Sequence, residues 1–471
     1  MSSLFSPRHL CLAASTFLLA ALHGPAADAG TQDIPDPGVL TAVAAKPASV
    51  KGEFVLISVG DLINARPVVP NPHSELARLI DIVKAGDVAI GNQEGIFFDL
   101  DTFKGHAPGS PYNLRGEPEL AEGLKSIGID MVSTANNHAS DWDTAGLQAM
   151  TTLLDDAGVV HAGDGKMLAD ARAARYFETP KGRVALIATA STFKQGARAQ
   201  DAMETVPARP GISTLRLRNV KIVSAATMDH LRAAGAREGS GGKLVLEANT
   251  PAGPVSQYYR MGPEPRLAYE MNTFDHFAIL NAIREGKAAA DLAVFTIHAH
   301  ENARSVDDTA MQDPADFLVR LSREAIDVGA DVVMAGGPHS MRGVEIYKGK
   351  PIFYGLAVFL FNGNVVLTQD QKTEHYGSTA KRDPNNPADG AFRMPESWDD
   401  GFTAATTFQD GRLKEVRLYP LDHGRVENSS RRGTGLSSPT RSRKILESLQ
   451  AFSTAYGTKI SIEGSVGVIR P

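Results

Sequence analysis

The sequence predicts an α/β protein with an open sheet. Two observations lead there. Apolar, β-rich runs recur at Phe54–Val59, Asp87–Gly91, Ile129–Val132, Val184–Ala188, Leu292–Ile297 and Asp331–Met334, and stretches of helical spacing separate several of them. That alternation is the signature of β-α units. In addition, residues with metal-binding or acid–base side chains follow most of these runs directly, and the carboxyl ends of strands are where an open α/β sheet places its ligand.

The chain as a whole sets bounds. Its 471 residues, 42% apolar and 22% charged, suit a large globular core. A formal charge of -6 gives no basic footprint, which argues against a nucleic-acid partner. Arg8 and His9 precede the apolar stretch Leu10–Leu22, and Ala27-Asp28-Ala29 supplies small residues for cleavage before Gly30. Residues 1–29 are therefore expected to be a secretory signal peptide, too short to span a bilayer, and the mature protein is expected to be secreted or periplasmic. The single cysteine, Cys11, lies inside that leader, so a mature chain has no disulfide and no thiol nucleophile. Any metal must then be held by His, Asp, Glu and Asn, which suits zinc, manganese or iron. Residues 30–52, rich in Pro, Ala and small polar residues, read as a flexible linker before a domain over 53–471.

The elements follow in order. Phe54–Val59 ends in Gly60-Asp61, a turn that presents a carboxylate, and Leu76, Leu79, Ile80 and Val83 mark the next helix. Asp87–Gly91 ends in Asn92-Gln93-Glu94, and a carboxylate there can bridge two metals if its neighbours converge. Residues 97–112 read as a loop, and Leu120, Leu124 and Ile127 as a helix. The run Ile129–Val132 leads into Ser133-Thr134-Ala135-Asn136-Asn137-His138-Ala139-Ser140-Asp141, before a helix over Thr144–Leu154. Asn137 can offer oxygen to a metal, His138 a ring nitrogen to a metal or a reacting oxygen, and Asp141 can orient that imidazole or cap the helix. His161 and Asp164 read as a structural turn.

Residues 193–281 read as an irregular excursion, a place where substrate contacts often lie. Leu292–Ile297 runs into His298-Ala299-His300-Glu301, where alternation turns both imidazoles the same way. An amphipathic helix over Pro314–Val328 precedes Asp331–Met334, which ends in Gly336-Gly337-Pro338-His339. Val344–Tyr347 and Pro351–Phe361 read as a hairpin. Residues 401–471 add a strand pair turning at Asp410-Gly411, a helix over Ser442–Tyr456 and a last strand, and 369–395 and 427–439 read as mobile loops. Asp61, Glu94, Asn137, His298 and His339 thus all follow apolar strands, a mixed oxygen and imidazole set suited to one or two divalent ions.

These pieces, in this order, resemble the bacterial capsule-synthesis CapA family linked to poly-γ-glutamate production, within the calcineurin-like metallophosphatase superfamily. The matching motifs are Gly60-Asp61, Gly91-Asn92-Gln93-Glu94, Ala135-Asn136-Asn137-His138 with Asp141, His298 with Glu301, and Gly337-Pro338-His339 followed by Arg342 to Tyr354. The resemblance implies a four-layer α/β/β/α sandwich with an insertion before the fourth metal motif. It also implies Asp61, Glu94, Asn137, His298 and His339 as metal ligands and His138 as the catalytic residue facing the scissile or leaving-group oxygen. His300, Asn92, Asp141 and Glu301 are further candidates for the metal or its supporting contacts. Three departures stand out. The family's second histidine, three positions before 339, is Gly336 here; its Trp-Gly after the fourth-motif His is Ala299-His300; and its Gly-Asn-Phe is Ala357-Val358-Phe359. Gly336 leaves two alternatives, an emptied metal position or replacement by His300.

Two functions are expected on this basis. One is a secreted, metal-dependent hydrolase of phosphoesterase type using a metal-activated water on a phosphoester or an anionic cell-envelope polymer. The other is a non-catalytic accessory protein that binds such a polymer for the capsule synthesis or export machinery. Arg66, Arg115 and Arg342 are candidate contacts to an anionic substrate.

Overall fold

In the computed structural model the structure describes residues 46–105, 113–250, 253–303, 312–362, 398–423 and 434–471. They all fall within one unit, Asp36–Pro471. The expected signal peptide, most of the expected linker and the loop over 369–395 lie outside the described residues. Among the described residues, no helix is long and apolar enough to cross a membrane.

Two sheets dominate. The first runs Ser461–Glu463, Val466–Ile469, Arg412–Asp422, Asp400–Gln409, Glu53–Asn64, Val88–Gln93, Met131–Ser133 and Val160–Ala162, with Val358–Asn362 also paired to Glu53–Asn64. Its second half is parallel, with Leu56 opposite Val88, Ile90 opposite Met131 and Val132 opposite His161. The C-terminal strands join antiparallel, so Asp400–Gln409, Arg412–Asp422, Ser461–Glu463 and Val466–Ile469 extend this sheet. The second sheet runs Val344–Tyr347, Lys350–Phe353, Val332–Gly336, Leu292–His298, Gly182–Ala190 and Arg175–Thr179. Its four inner strands are parallel, and both edges are closed by antiparallel hairpin partners.

Side-chain alternation divides the core between the sheets. On the Leu292–His298 strand, Leu292 and Val294 pack into the core shared with Leu56, Val59 and Ile90 of the first sheet. Ala293, Phe295 and Ile297 turn the other way, onto Ile279, Ile283, Leu318 and Leu321 of the helices Thr273–Ala288 and Asp316–Val328. Every residue of Val88–Gln93 and of Leu292–His298 is buried, as parallel strands covered on both faces must be. Such strands need crossover helices, and sequence supplies their starts. Ser74 caps Glu75–Lys84 by accepting from the Ala77 N–H, and Asn272 caps Thr273–Ala288 by accepting from Asp275.

The region 193–281 differs from the irregular excursion expected. It contains a third, five-stranded sheet in the order Arg237–Glu238, Lys243–Thr250, Gly253–Met261, Leu217–Val223, Arg266–Met271. On Leu217–Val223 the buried Val220 and Ile222 alternate with exposed neighbours, the pattern of a sheet with one solvated face.

Candidate metal centre

The carboxyl ends of parallel strands from both main sheets meet at one place. Asp61 is fully buried near the end of Glu53–Asn64, where its backbone N–H donates to the Ala357 carbonyl at 2.9 Å. That approach requires glycine just before it: a Cβ on Gly60 would stand 1.9 Å from the Ala357 oxygen. Asp61 Oδ1 accepts from Asn92 Nδ2 at 2.8 Å, and Oδ2 lies 2.8 Å from His339 Nδ1. Asn92 also reaches His298 Nδ1 at 3.1 Å, so this amide ties the ends of the two sheets together. His339 sits at φ 56 after Gly337 at φ 122, a left-handed turn that costs a non-glycine residue energy and recurs at functional sites.

Glu94 is the centre of the arrangement. It is buried, and neither carboxylate oxygen has a hydrogen-bond partner. Three imidazoles surround its Oε1: His339 Nε2 at 3.5 Å, His138 Nε2 at 3.8 Å and His298 Nε2 at 3.9 Å. These separations exceed hydrogen-bond length and leave room for a cation between the groups. A buried carboxylate without partners is costly. Burial pushes the Glu94 carboxyl well above its usual range, and the nearby Asp61 and Asp141 push further. Burial likewise holds His298 well below the usual imidazole range, with His300, His339 and His138 adding to the effect. Neutral imidazole is the form that ligates metal.

Two ligand triads share Glu94: Asp61, Glu94 and His339 form one, and Glu94, His298 and His300 the other. His300 therefore stands with the candidate ligands, its Nε2 3.0 Å from that of His298. Asn137 adds a buried side-chain oxygen without a partner. The orphaned oxygens of Glu94, with the His298 and His339 imidazoles 3.9 and 3.5 Å from one of them, fit divalent cations. Gly336 faces Asp61, and a Cβ there would lie 2.9 Å from Oδ1.

His138 is oriented from behind. Its Nδ1 lies 2.8 Å from Asp141 Oδ2, and its backbone N–H donates to Asn136 Oδ1 at 3.1 Å. Asp141 is fully buried, and it also accepts from the Leu114 N–H and the Lys194 ammonium. Asp141 thus orients the imidazole; the side chain that precedes the next helix, Trp142, makes no cap. Glu301 turns away from the triads, with its Oε2 accepting from Ser191 Oγ at 2.7 Å, and burial raises its pKa.

The three candidate substrate arginines make the following contacts. Arg66 is exposed and pairs with Glu117 at 3.5 Å. Arg115 is buried and donates to the Phe98 carbonyl at 2.6 Å, and Arg342 is buried and donates to the Glu301 carbonyl at 2.9 Å. Arg342 thereby braces the loop that carries His300. Away from the centre, His161 and Asp164 pair at 2.7 Å with Thr134 also on Asp164, a turn-stabilising set.

Sequence reasoning missed three contributors. Asn136 donates to the Gln93 carbonyl at 2.7 Å and so locks the Asn-Asn-His turn against the Glu94 strand end. Lys194 reaches Asp141 from a loop without a motif; only its place after the Gly182–Ala190 strand signalled it. Trp398 packs edge-on against His339 with ring centroids 4.3 Å apart.

A family model described as bacterial capsule synthesis protein PGA_cap matches residues 55–363. Two uncharacterised proteins of Sinorhizobium fredii are each 34% identical over 443 residues, covering 88% of this chain and 93% of theirs. The PGA biosynthesis protein CapA of Bacillus subtilis is 22% identical over 295 residues, 63% of this chain and 58% of that one. The capsule biosynthesis protein CapA of Bacillus anthracis is 20% identical over 329 residues, 69% and 64% of the two chains.

Proposed function

The chain belongs to the bacterial capsule synthesis protein PGA_cap family, and from that premise we propose that it is a secreted or periplasmic, metal-dependent hydrolase of the phosphoesterase type. In this reading it shares the calcineurin-like superfamily's four-layer α/β/β/α sandwich, with residues 193–281 as an insertion. Its substrate is an anionic cell-envelope polymer such as poly-γ-glutamate, or a small phosphoester. The observation that carries the reading is Glu94, a buried carboxylate with no hydrogen-bond partner, common to two ligand triads.

Asp61, Glu94 and His339 would hold one divalent ion, and Glu94, His298 and His300 a second, with Asn137 contributing its oxygen. Such ions supply charge neutralisation and lower the pKa of a bound water. The chain's own residues do the rest. Asn92 and His339 fix Asp61, and Asn92 fixes His298. Asp141 turns His138 so that Nε2 points to the Glu94 side of the site, where it holds or takes a proton at a reacting oxygen.

One observation favours a second reading. The position of the family's additional histidine is a glycine hard against Asp61, as a degenerate site would have it. An accessory protein that binds a nascent polymer during assembly or export would tolerate that loss. Elemental mass spectrometry of the purified protein, after loading with manganese, iron or zinc and removal of excess, separates the two. Two ions per chain, followed by turnover in a screen of phosphoesters and γ-glutamyl amides, would support the hydrolase. A folded protein without bound metal would overturn it and leave the accessory role.

A further inference from the structure

A second charged cluster lies outside the metal centre. Asp275 is fully buried and is met by three guanidinium groups: Arg172 at 2.5 Å, Arg198 at 3.0 Å and Arg216 at 2.7 Å. Its oxygens also accept from the Arg216 backbone N–H at 3.1 Å, so the carboxylate is saturated. Among the described residues, every ion pair that these arginines make goes to this one acid. Three cations against one anion leave two positive charges in excess, and the side chains of Arg172 and Arg198 are only 13% and 24% exposed.

Partly buried excess charge is expensive, and a further anion among these guanidinium groups would offset it. Here the excess is reinforced. The Nε atoms of Arg172 and Arg198 are buried without a partner. Arg209 donates to the Arg198 carbonyl and brings a fourth guanidinium close. Burial lowers the Arg172 pKa; Asp275 opposes this, and Arg198 and Arg216 add to it. Guanidinium forks are the groups best suited to carboxylate and phosphate.

The cluster is tied to the metal centre by one short segment. Ser191 donates to Glu301, Thr192 accepts from the His300 N–H, Lys194 pairs with Asp141 and Arg198 pairs with Asp275. Four residues of chain from Lys194 to Arg198 reach at most about 14 Å. The two clusters therefore flank one short loop, and an extended anionic ligand long enough to span it would place a second charged group among the arginines.

We infer that Arg172, Arg198 and Arg216 form an anion subsite that takes a carboxylate or phosphate group of an extended anionic ligand. The ligand's extended, anionic character rests on the function proposed above; the excess charge does not. The subsite explains why this carboxylate is outnumbered, and it puts ligand-holding side chains on the start of the 193–281 region.

The test uses the full chain stripped of metal with chelator, so that anion binding is read apart from metal chemistry. Inorganic phosphate and a γ-linked glutamate hexamer are titrated by calorimetry into wild type and into the double variant Arg198→Ala, Arg216→Ala. Wild type is expected to bind one or both, more weakly as salt is raised, and the double variant at least tenfold more weakly. Tighter binding of phosphate assigns a phosphate-bearing ligand; tighter binding of the hexamer assigns a polycarboxylate. Should the double variant misfold, Arg216→Gln, at the most exposed of the three, is expected to lose about threefold. A wild type that binds neither probe, or a folded variant with unchanged affinity, overturns the subsite. Metal uptake measured on parallel samples, reloaded with manganese, iron or zinc after the chelator is removed, keeps the outcomes separate: a wild type that takes up no metal removes the hydrolase reading and leaves the anion result standing.

Discussion

Gly336 and Asp61 compete for the same space: a Cβ on the glycine would stand 2.9 Å from Asp61 Oδ1. That oxygen is held by Asn92 and its partner oxygen by His339, so Asp61 cannot swing aside without breaking a buried hydrogen bond. Restoring the family's imidazole with Gly336→His is therefore expected to damage the centre. Stability should fall by about 1–3 kcal/mol, the cost of an unmet buried polar group, and bound metal per chain should fall. Thermal unfolding and elemental analysis check both. A gain of one ion per chain would show that the site accepts the family's histidine after all.

His138 and Glu94 should separate chemistry from metal retention. In metal-loaded protein, His138→Asn is expected to lower kcat by about 10²–10⁴, the usual worth of a positioned acid or base, with metal content unchanged. Asp141→Asn should follow it, because the imidazole loses its orienting carboxylate. Glu94→Gln should instead lose metal. Equal metal loss in all three variants would place His138 among the ligands.

Gly60 is expected to be the least replaceable residue near the site. Gly60→Ala puts a methyl 1.9 Å from the Ala357 oxygen, where backbone rather than a side chain must give way. Overpacking of this kind should cost about 3 kcal/mol or more, read as a lowered midpoint in urea.

His161 gives a pH dependence remote from the metal ligands. Burial alone would lower its pKa, but the Asp164 hydrogen bond and the charges of Asp164 and Asp155 raise it on balance. The folded state then binds the proton more tightly than the unfolded chain. The stabilisation is fully present below the unfolded pKa of about 6.5 and is lost as pH rises through the raised folded value. The stability advantage of wild type over His161→Gln should accordingly shrink between neutral and alkaline pH. An advantage independent of pH would rule out the ion pair as its source.

What could be read from the sequence follows from how each residue is used. Asp61, Glu94, His298 and His339 were visible because each interrupts or ends an apolar run where a strand reaches a ligand edge. The Leu217–Met271 sheet was not, because a strand such as Leu217–Val223 alternates buried with exposed residues and so looks like polar loop. The Thr273–Ala288 helix hid for another reason. His276 and Lys287 occupy its buried face, where Glu324 at 2.6 Å and Asp331 at 2.7 Å satisfy them, and those partners lie 48 and 44 positions away. Lys194 and Asp141 pair across 53 positions, a match that only packing decides. Arg115 and Arg342 are buried, with backbone carbonyls accepting from them, which the usual exposure of arginine gives no reason to expect.

Asp61 and His339 meet across 278 positions of sequence. Neither triad exists in any early portion of the chain, since each needs a carboxylate from the first hundred residues and an imidazole from near position 300 or beyond. A growing polypeptide therefore offers only scattered donors, and a cation held by these triads would be chosen only once the chain from Asp61 to His339 has folded together. On the proposed reading, which ion the protein carries would then depend on the ions present where that folding takes place.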